Sequence, residues 1–172
     1  MRKTVLLIFL YLFLFSPIVS ATEYILPYPS IMPGNRLYSL LQLKDAFMNF
    51  WYFGDMAKVK YNLALSDRYL IEAKTLFEYK QYKLATNSLK KSTEHYVLAL
   101  LYENDVVVSD KDKGEQLLLL KAASQKHIEI LDSLAKSNPK TLEWKEERKE
   151  PEELRINFLL SEAKAARKYE IN

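Results

Sequence analysis

Two imidazoles, His95 and His127, are the only side chains in this sequence whose ordinary titration lies near neutral pH. His127 sits on an apolar helical stripe. A metal site there would need ligands one turn away, and Ala123, Ser124, Ile130 and Leu131 supply none. It therefore reads as a core or boundary histidine. His95 lies between Glu94 and Tyr96 and, with Tyr96 on the stripe, is expected to face solvent. No H-E-x-x-H or Glu-x-x-His pattern accompanies either. Cysteine is absent, which removes thiolate metal sites, disulfides and cysteine nucleophiles. Gly34, Gly54 and Gly114 each stand alone, so no glycine-rich phosphate loop and no G-x-S-x-G elbow exists. Glu146-Glu147 and Glu152-Glu153 are sequence neighbours, which a helix splays apart, so they read as solvated faces rather than an acid/base pair. No catalytic residue, metal ligand or cofactor is assigned.

The elements that would carry these side chains are helices. Low glycine content with abundant Leu, Lys, Glu and Ala favours helix. Helix one is expected from Arg36 to Tyr52, with Leu37, Leu40, Leu41, Phe47, Met48 and Trp51 as a broad apolar stripe and Asn35 as its cap. Gly54 ends it. Asp55 is expected to cap helix two, Met56 to Tyr79, whose stripe Met56, Val59, Leu63, Ser66, Leu70, Ala73 and Phe77 alternates steps of three and four. Helix three, Tyr82 to Tyr102, repeats the pattern through Tyr82, Ala85, Leu89, Ser92, Tyr96 and Ala99. The short break between them predicts an antiparallel hairpin; one long helix is the alternative. Leu76 to Ala85 resembles the turn of a tetratricopeptide pair, but no second copy follows at a period of about 34 residues.

Asp105 to Asp112 reads as a loop, and Gly114 to Ser137 as helix four, with Leu117, Leu120, Ser124, His127, Leu131 and Leu134 inward until Asn138-Pro139 stops it. Thr141 to Glu150 is a short helix or an exposed loop. Pro151-Glu152-Glu153 is a helix-opening pattern, which predicts helix five from Glu152 to Lys168 with Leu154, Phe158, Ser161 and Ala165 inward. The fold class is all-α: an up-and-down antiparallel bundle of four or five helices over residues 36–172. Its tyrosines are expected to pack with their hydroxyls toward the surface.

The first 21 residues have a different character. Arg2 and Lys3 precede an uncharged apolar run of 12 residues, Thr4 to Phe15; Ser16-Pro17 breaks it, and Val19-Ser20-Ala21 suits a signal peptidase. A secretory signal over 1–21 is the expectation, with a membrane anchor through residues 4–20 as the alternative; a span needs about 20 apolar residues. Formal net charge is +3, two of which are Arg2 and Lys3, and the remaining charges are mixed along the chain. That pattern argues against a nucleic-acid partner.

Between signal and bundle, residues 22–35 are proline-rich and apolar at once. Pro27, Pro29 and Pro33 forbid helix. The segment is expected to lie back across the bundle as a strap, burying Tyr24, Leu26, Tyr28 and Ile31, or else to act as a stiff spacer or a partner's docking strip.

Tyr24-x-Leu26-Pro27-Tyr28-Pro29-x-x-x-Pro33, followed by Leu37-Tyr38 and Leu43-Lys44-Asp45, resembles an uncharacterised bacterial family of exported helical domains. Asp55-x-x-Lys58, Leu63-x-Leu65-x-Asp67-x-Tyr69-Leu70 and Glu72-Ala73 are similar to its second signature. The resemblance runs from Tyr24 to Tyr96. This chain departs from it at Gly34-Asn35-Arg36 and at Met56. Related domains lie outside the membrane in anti-sigma-type proteins. The resemblance implies an extracytoplasmic helical domain and brings no catalytic or ligand residue. The expectation is an exported, envelope-associated binding or structural module with an envelope protein as possible partner and membrane contact only through an uncleaved N-terminal segment. A sensor holding a small ligand or lipid among Ser66, Ser92, Ser124 and His127 is the alternative, and a cell-wall hydrolase a remote one.

Overall fold

A computed structural model describes residues 24–29, 31–104, 110–145 and 150–168. The signal expected over 1–21, most of the loop expected over 105–112 and part of the charged segment 143–150 lie outside the described residues. Five helices and one small antiparallel ribbon are described: α1 (Tyr38–Trp51), α2 (Asp55–Glu78), α3 (Tyr82–Asn104), α4 (Asp110–Ser137), β1 (Leu142–Trp144), β2 (Glu152–Leu154) and α5 (Ile156–Arg167).

Helices α2 and α3 form the antiparallel hairpin, the most extensive helix pairing in the fold. Paired side chains show the direction: Ser66 meets Ser92 and, further from the turn, Asn62 meets His95. The stripes predicted for α2, α3 and α4 are the faces turned inward. They make two apolar clusters stacked along the bundle. One holds Leu70, Leu76, Phe77, Leu89, Leu131 and Leu134 with Ile156 and Leu160 of α5. The other holds Val59, Leu63, Tyr96, Ala99, Leu120 and Ala123.

Three expectations are corrected. Residues 152–154 open no helix: they form β2, paired with β1 in the register Leu142↔Leu154 and Trp144↔Glu152. Leu154 and Ile156 are both buried, and residues two apart point to nearly opposite sides of a helix, so extended backbone is what brings both to the core. The inward face of α5 is accordingly Ile156, Leu160, Ala163 and Arg167, while Phe158, Ser161 and Ala165 are exposed. Helix α1 buries no residue fully, and Leu37, Leu40, Phe47 and Trp51 of its predicted stripe are exposed. It starts at Tyr38 because Asn35 closes a turn ahead of it, accepting the Leu37 amide at 2.9 Å. Third, Asp55 is the first helical residue of α2, and Gly54 before it holds φ +86° and ψ 149°, a conformation that only glycine adopts readily.

The α2–α3 turn is a Schellman motif. The Gln81 amide donates to Leu76 O at 2.9 Å and the Lys80 amide to Phe77 O at 3.0 Å. Lys80 itself is left-handed, φ 57°, where glycine is the usual occupant. Left-handed backbone costs an L-residue about 1–2 kcal/mol, and the Lys80 side chain is exposed. Lys80→Gly is therefore expected to raise the unfolding free energy by about 0.5–1 kcal/mol, part of the gain being offset by glycine's greater freedom in the unfolded chain. Urea unfolding of the two proteins measures it; an equal or lower midpoint would contradict this account of the turn.

Candidate functional site

Between the two apolar clusters lies a layer of polar side chains, one level on every helix that reaches the core. Helix α2 contributes Ser66 and Asp67, α3 Ser92 and Thr93, α4 Ser124 and His127, and α5 Arg167. The four polar stripe members singled out in the sequence do converge, but on Arg167 and one another, with the guanidinium filling the space among them. Arg167 is 1% exposed and His127 not at all.

The hydrogen bonds have assignable directions. A guanidinium can only donate, so Arg167 Nε, 2.9 Å from His127 Nδ1, fixes that nitrogen as the acceptor. The imidazole proton then sits on Nε2 and is donated to Asp67 Oδ1 at 2.6 Å. The Tyr24 hydroxyl donates to Asp67 Oδ2, also at 2.6 Å. Arg167 Nη2 donates to Ser92 Oγ at 2.7 Å and Nη1 to Ala163 O at 2.8 Å. Ser92 and Ser66 exchange bonds, each hydroxyl donating to the other's carbonyl at 2.8 Å. The guanidinium also lies 4.9 Å from the centre of the Tyr96 ring.

Charge follows from this wiring. Burial lowers the His127 pKa and Arg167 adds to the lowering, while Asp67 offsets only part. His127 stays neutral, a bridge between a buried cation and a buried carboxylate. Burial pushes Arg167 down to about 10, which leaves it charged at neutral pH. Burial, followed by Asp67, raises the Tyr24 hydroxyl far above the ordinary range. An Asp–His pair suggests hydrolase chemistry. Here the second imidazole nitrogen faces a guanidinium instead of a nucleophile, its lone pair is taken, and no solvent reaches the ring. This cluster holds no available base and admits no substrate.

A second polar group fastens α1 to α2. Asp45 of α1 receives Arg68 Nη1 at 3.0 Å and Nη2 at 2.5 Å. The Tyr38 hydroxyl donates to Glu72 Oε2 at 2.8 Å, and the Tyr61 hydroxyl to the Asp45 carbonyl at 2.5 Å. Tyr52 stacks on Tyr61 at 4.6 Å. Arg68 Nε is 3.5 Å from Glu72 Oε1, a charge contact without hydrogen-bond geometry. Glu72 is fully buried and its pKa is raised by burial despite Tyr38 and Arg68. His95 is corrected here: it does not face solvent but stacks on Tyr69 at 5.5 Å and donates from Nδ1 to Asn62 Oδ1 at 2.9 Å. Its direction is fixed because the Asn62 amide nitrogen is spent on Lys58 O. Among the bundle tyrosines expected to point their hydroxyls outward, Tyr61 turns inward onto the Asp45 carbonyl. Tyr79 is exposed as expected.

The proline-rich segment divides. Tyr24 reaches Asp67; Leu26 and Met32 pack against the first apolar cluster; Pro29 is buried and Ile31 and Pro33 half-buried. Pro27 and Tyr28 are exposed, Tyr28 at 79%, so the burial expected of Tyr28 is corrected: Leu26 and Pro29 take the inward positions.

The outer face of α1 holds Leu40, Phe47 and Trp51, which the periodicity assigned to the core, together with Leu43 and Phe50. These side chains, with Phe53 just beyond, are 62–82% exposed. Phe47 and Trp51 stack on each other at 6.2 Å. The sequence signal was weak: Tyr38 and Asp45 share the side of the helix opposite these residues, but an acid on a helix is ordinarily solvated. A groove of about 630 Å³ also runs between α3 and α5, floored by Leu89, Val97, Leu98 and Leu159. Among the described residues no three His, Asp or Glu side chains converge as metal ligands, and no helix is long and apolar enough to cross a membrane.

The polar layer makes a specific demand on His127. His127→Ala is expected to cost about 3–5 kcal/mol, because it separates a buried carboxylate from a buried cation. His127→Gln, whose amide can accept from Arg167 and donate to Asp67, is expected to cost less. The pH dependence has a definite sign. The unfolded chain takes up a proton on His127 below about 6.5 and the folded chain resists it. Stability is thus held in full above that pH and lost as pH falls, by up to about 1.4 kcal/mol per pH unit. His95, also lowered by burial, acts in the same direction. Unfolding curves at pH 7.5 and 5.0 should show a shallower loss for His127→Gln than for the natural chain; equal slopes would contradict the neutral bridge. Compared with models of known protein families, with curated proteins and with solved structures, the chain gives no match.

Proposed function

We propose that this protein is an exported, envelope-associated binding or structural module whose docking surface is the outer face of α1. The observation that carries the reading is the orientation of that helix. Its Tyr38 and Asp45 side chains are spent inward on Glu72 and Arg68, the Asp45 carbonyl takes the Tyr61 hydroxyl, and Leu40, Leu43, Phe47, Phe50 and Trp51 are held outward. Contiguous apolar patches of this kind mark interaction sites. Export is supported by the apolar run Thr4–Phe15 behind Arg2 and Lys3 and by the resemblance to exported helical domains. A non-catalytic role is supported by the closure of the one Asp–His pair to solvent and nucleophile.

Site-specific photo-crosslinking tests the reading. A benzophenone amino acid at Phe47, in cells expressing the full chain, is expected to give adducts with an envelope component, protein or lipid. The same probe at exposed Lys121 on α4 is expected to give none. Equal labelling at the two positions, or none at Phe47, would defeat the proposal.

A further inference from the structure

Resting on the reading of α1 as a docking face, we infer that its occupant is the surface of a lipid bilayer bearing anionic headgroups. Three observations separate a bilayer from the other candidates. The first is composition: Leu40, Leu43, Phe47, Phe50, Trp51 and Phe53 combine aliphatic bulk with the aromatic rings that settle at a membrane interface. The second is charge. From Ile31 to Asp55 the charged residues are Arg36, Lys44, Asp45 and Asp55; Asp45 is consumed by Arg68, and Asp55 is the half-buried first residue of α2. The exposed charges on α1 and in the turn ahead of it, Arg36 and Lys44, are therefore both cations. A second copy docked through the same face about a two-fold axis would set these cations against their own kind, whereas anionic headgroups neutralise them. The third is mounting. Helix α1 meets the bundle through side-chain anchors rather than close helix packing. It presents a row of side chains along one helix, which suits shallow insertion of about 5–10 Å rather than seating in a groove. Sequence alone confines membrane contact to the N-terminal apolar segment; this face adds a second contact, independent of whether that segment is retained.

The test reads Trp51 itself. The full chain carrying Trp144→Phe has Trp51 as its single tryptophan, and among the described residues the Trp144 indole proton has no acceptor, so the exchange removes no hydrogen bond seen there. With phosphatidylglycerol-containing vesicles, Trp51 emission is expected to shift to shorter wavelength and to be quenched by acyl chains brominated near the headgroup. Arg36→Gln and Lys44→Gln should each weaken the titration about fivefold. Phe47→Ser/Phe50→Ser, both at exposed positions and checked for an unchanged thermal melt, should abolish it. Because the reporter sits on α1, binding through residues 4–20 does not mimic the result. Trp51 emission that stays solvent-like while the chain floats with vesicles would overturn the inference. So would a shift that needs no vesicles and follows dimer formation in sedimentation, which would assign the face to a second copy and leave the docking reading standing. A solvent-like Trp51 together with no Phe47 adduct would remove both.

Discussion

The buried guanidinium of Arg167 is the constraint on which the rest of the bundle depends. A cation with 1% of its surface exposed must find hydrogen-bond acceptors and a counter-charge inside the protein. It finds them on three other helices: Ser92 and Thr93 of α3, His127 of α4 and, through that imidazole, Asp67 of α2. Sliding α4 by one turn would part His127 from both charges and leave each unpaired. Apolar stripes alone tolerate such slips, since one leucine resembles another; the polar layer does not. It adds a register to clusters that supply burial.

The same layer ties down both ends of the described chain. Tyr24, at its start, puts a hydroxyl on Asp67. Arg167 closes α5 near its other end, and Ser124 holds the Arg167 carbonyl at 2.5 Å. One network thus couples the proline-rich segment to the last helix, although the two meet nowhere in sequence. The prolines assist, because a stiff segment has less freedom to lose when it is laid across the helices. Neutral His127 is what makes the coupling work: a protonated ring would aim a donor at a donor and leave Arg167 Nε with nothing to bond.

Much of this was written in the periodicity. The stripes of α2, α3 and α4 were legible to the residue, including Ser66, Ser92, Ser124 and His127 as their polar members. What was not legible is that these four shared one partner. Arg167 lies on the right period, four residues after Ala163 and eleven after Ile156, but a charged residue on a helix is ordinarily solvated. Asp67, next to Ser66, was hidden for the same reason. Helix α5 was displaced because Pro151-Glu152-Glu153 satisfies the local rules for a helix start, while the pairing of Leu154 with Leu142 is a non-local contact that no local rule contains. For α1 the facing held only for Leu41 and Met48, which are half-buried; Leu37, Leu40, Phe47 and Trp51 were given the core by default, and the partners of Tyr38 and Asp45 decided otherwise.

That inversion has a physical cause on α2. The side of α2 turned to α1 carries Tyr61, Arg68, Tyr69 and Glu72. Beside the small cluster of Tyr61, Leu65 and Tyr69 on which Met48 and Tyr52 pack, it offers hydroxyls and charges. Burying a large apolar side chain contributes about 1.5–3 kcal/mol, but only against apolar surroundings. Rotating α1 to bring Phe47 and Phe50 inward would strip Arg68 of Asp45 and Glu72 of Tyr38. Leaving such charged groups buried and unpaired costs more than 1–3 kcal/mol each. The apolar gain would meanwhile be small, because the surface met would be polar. The lowest free energy of the isolated chain therefore keeps the apolar face outside. A helix held in that way by its own domain is already oriented for an apolar or interfacial partner, and covering it requires no rearrangement of the bundle beneath.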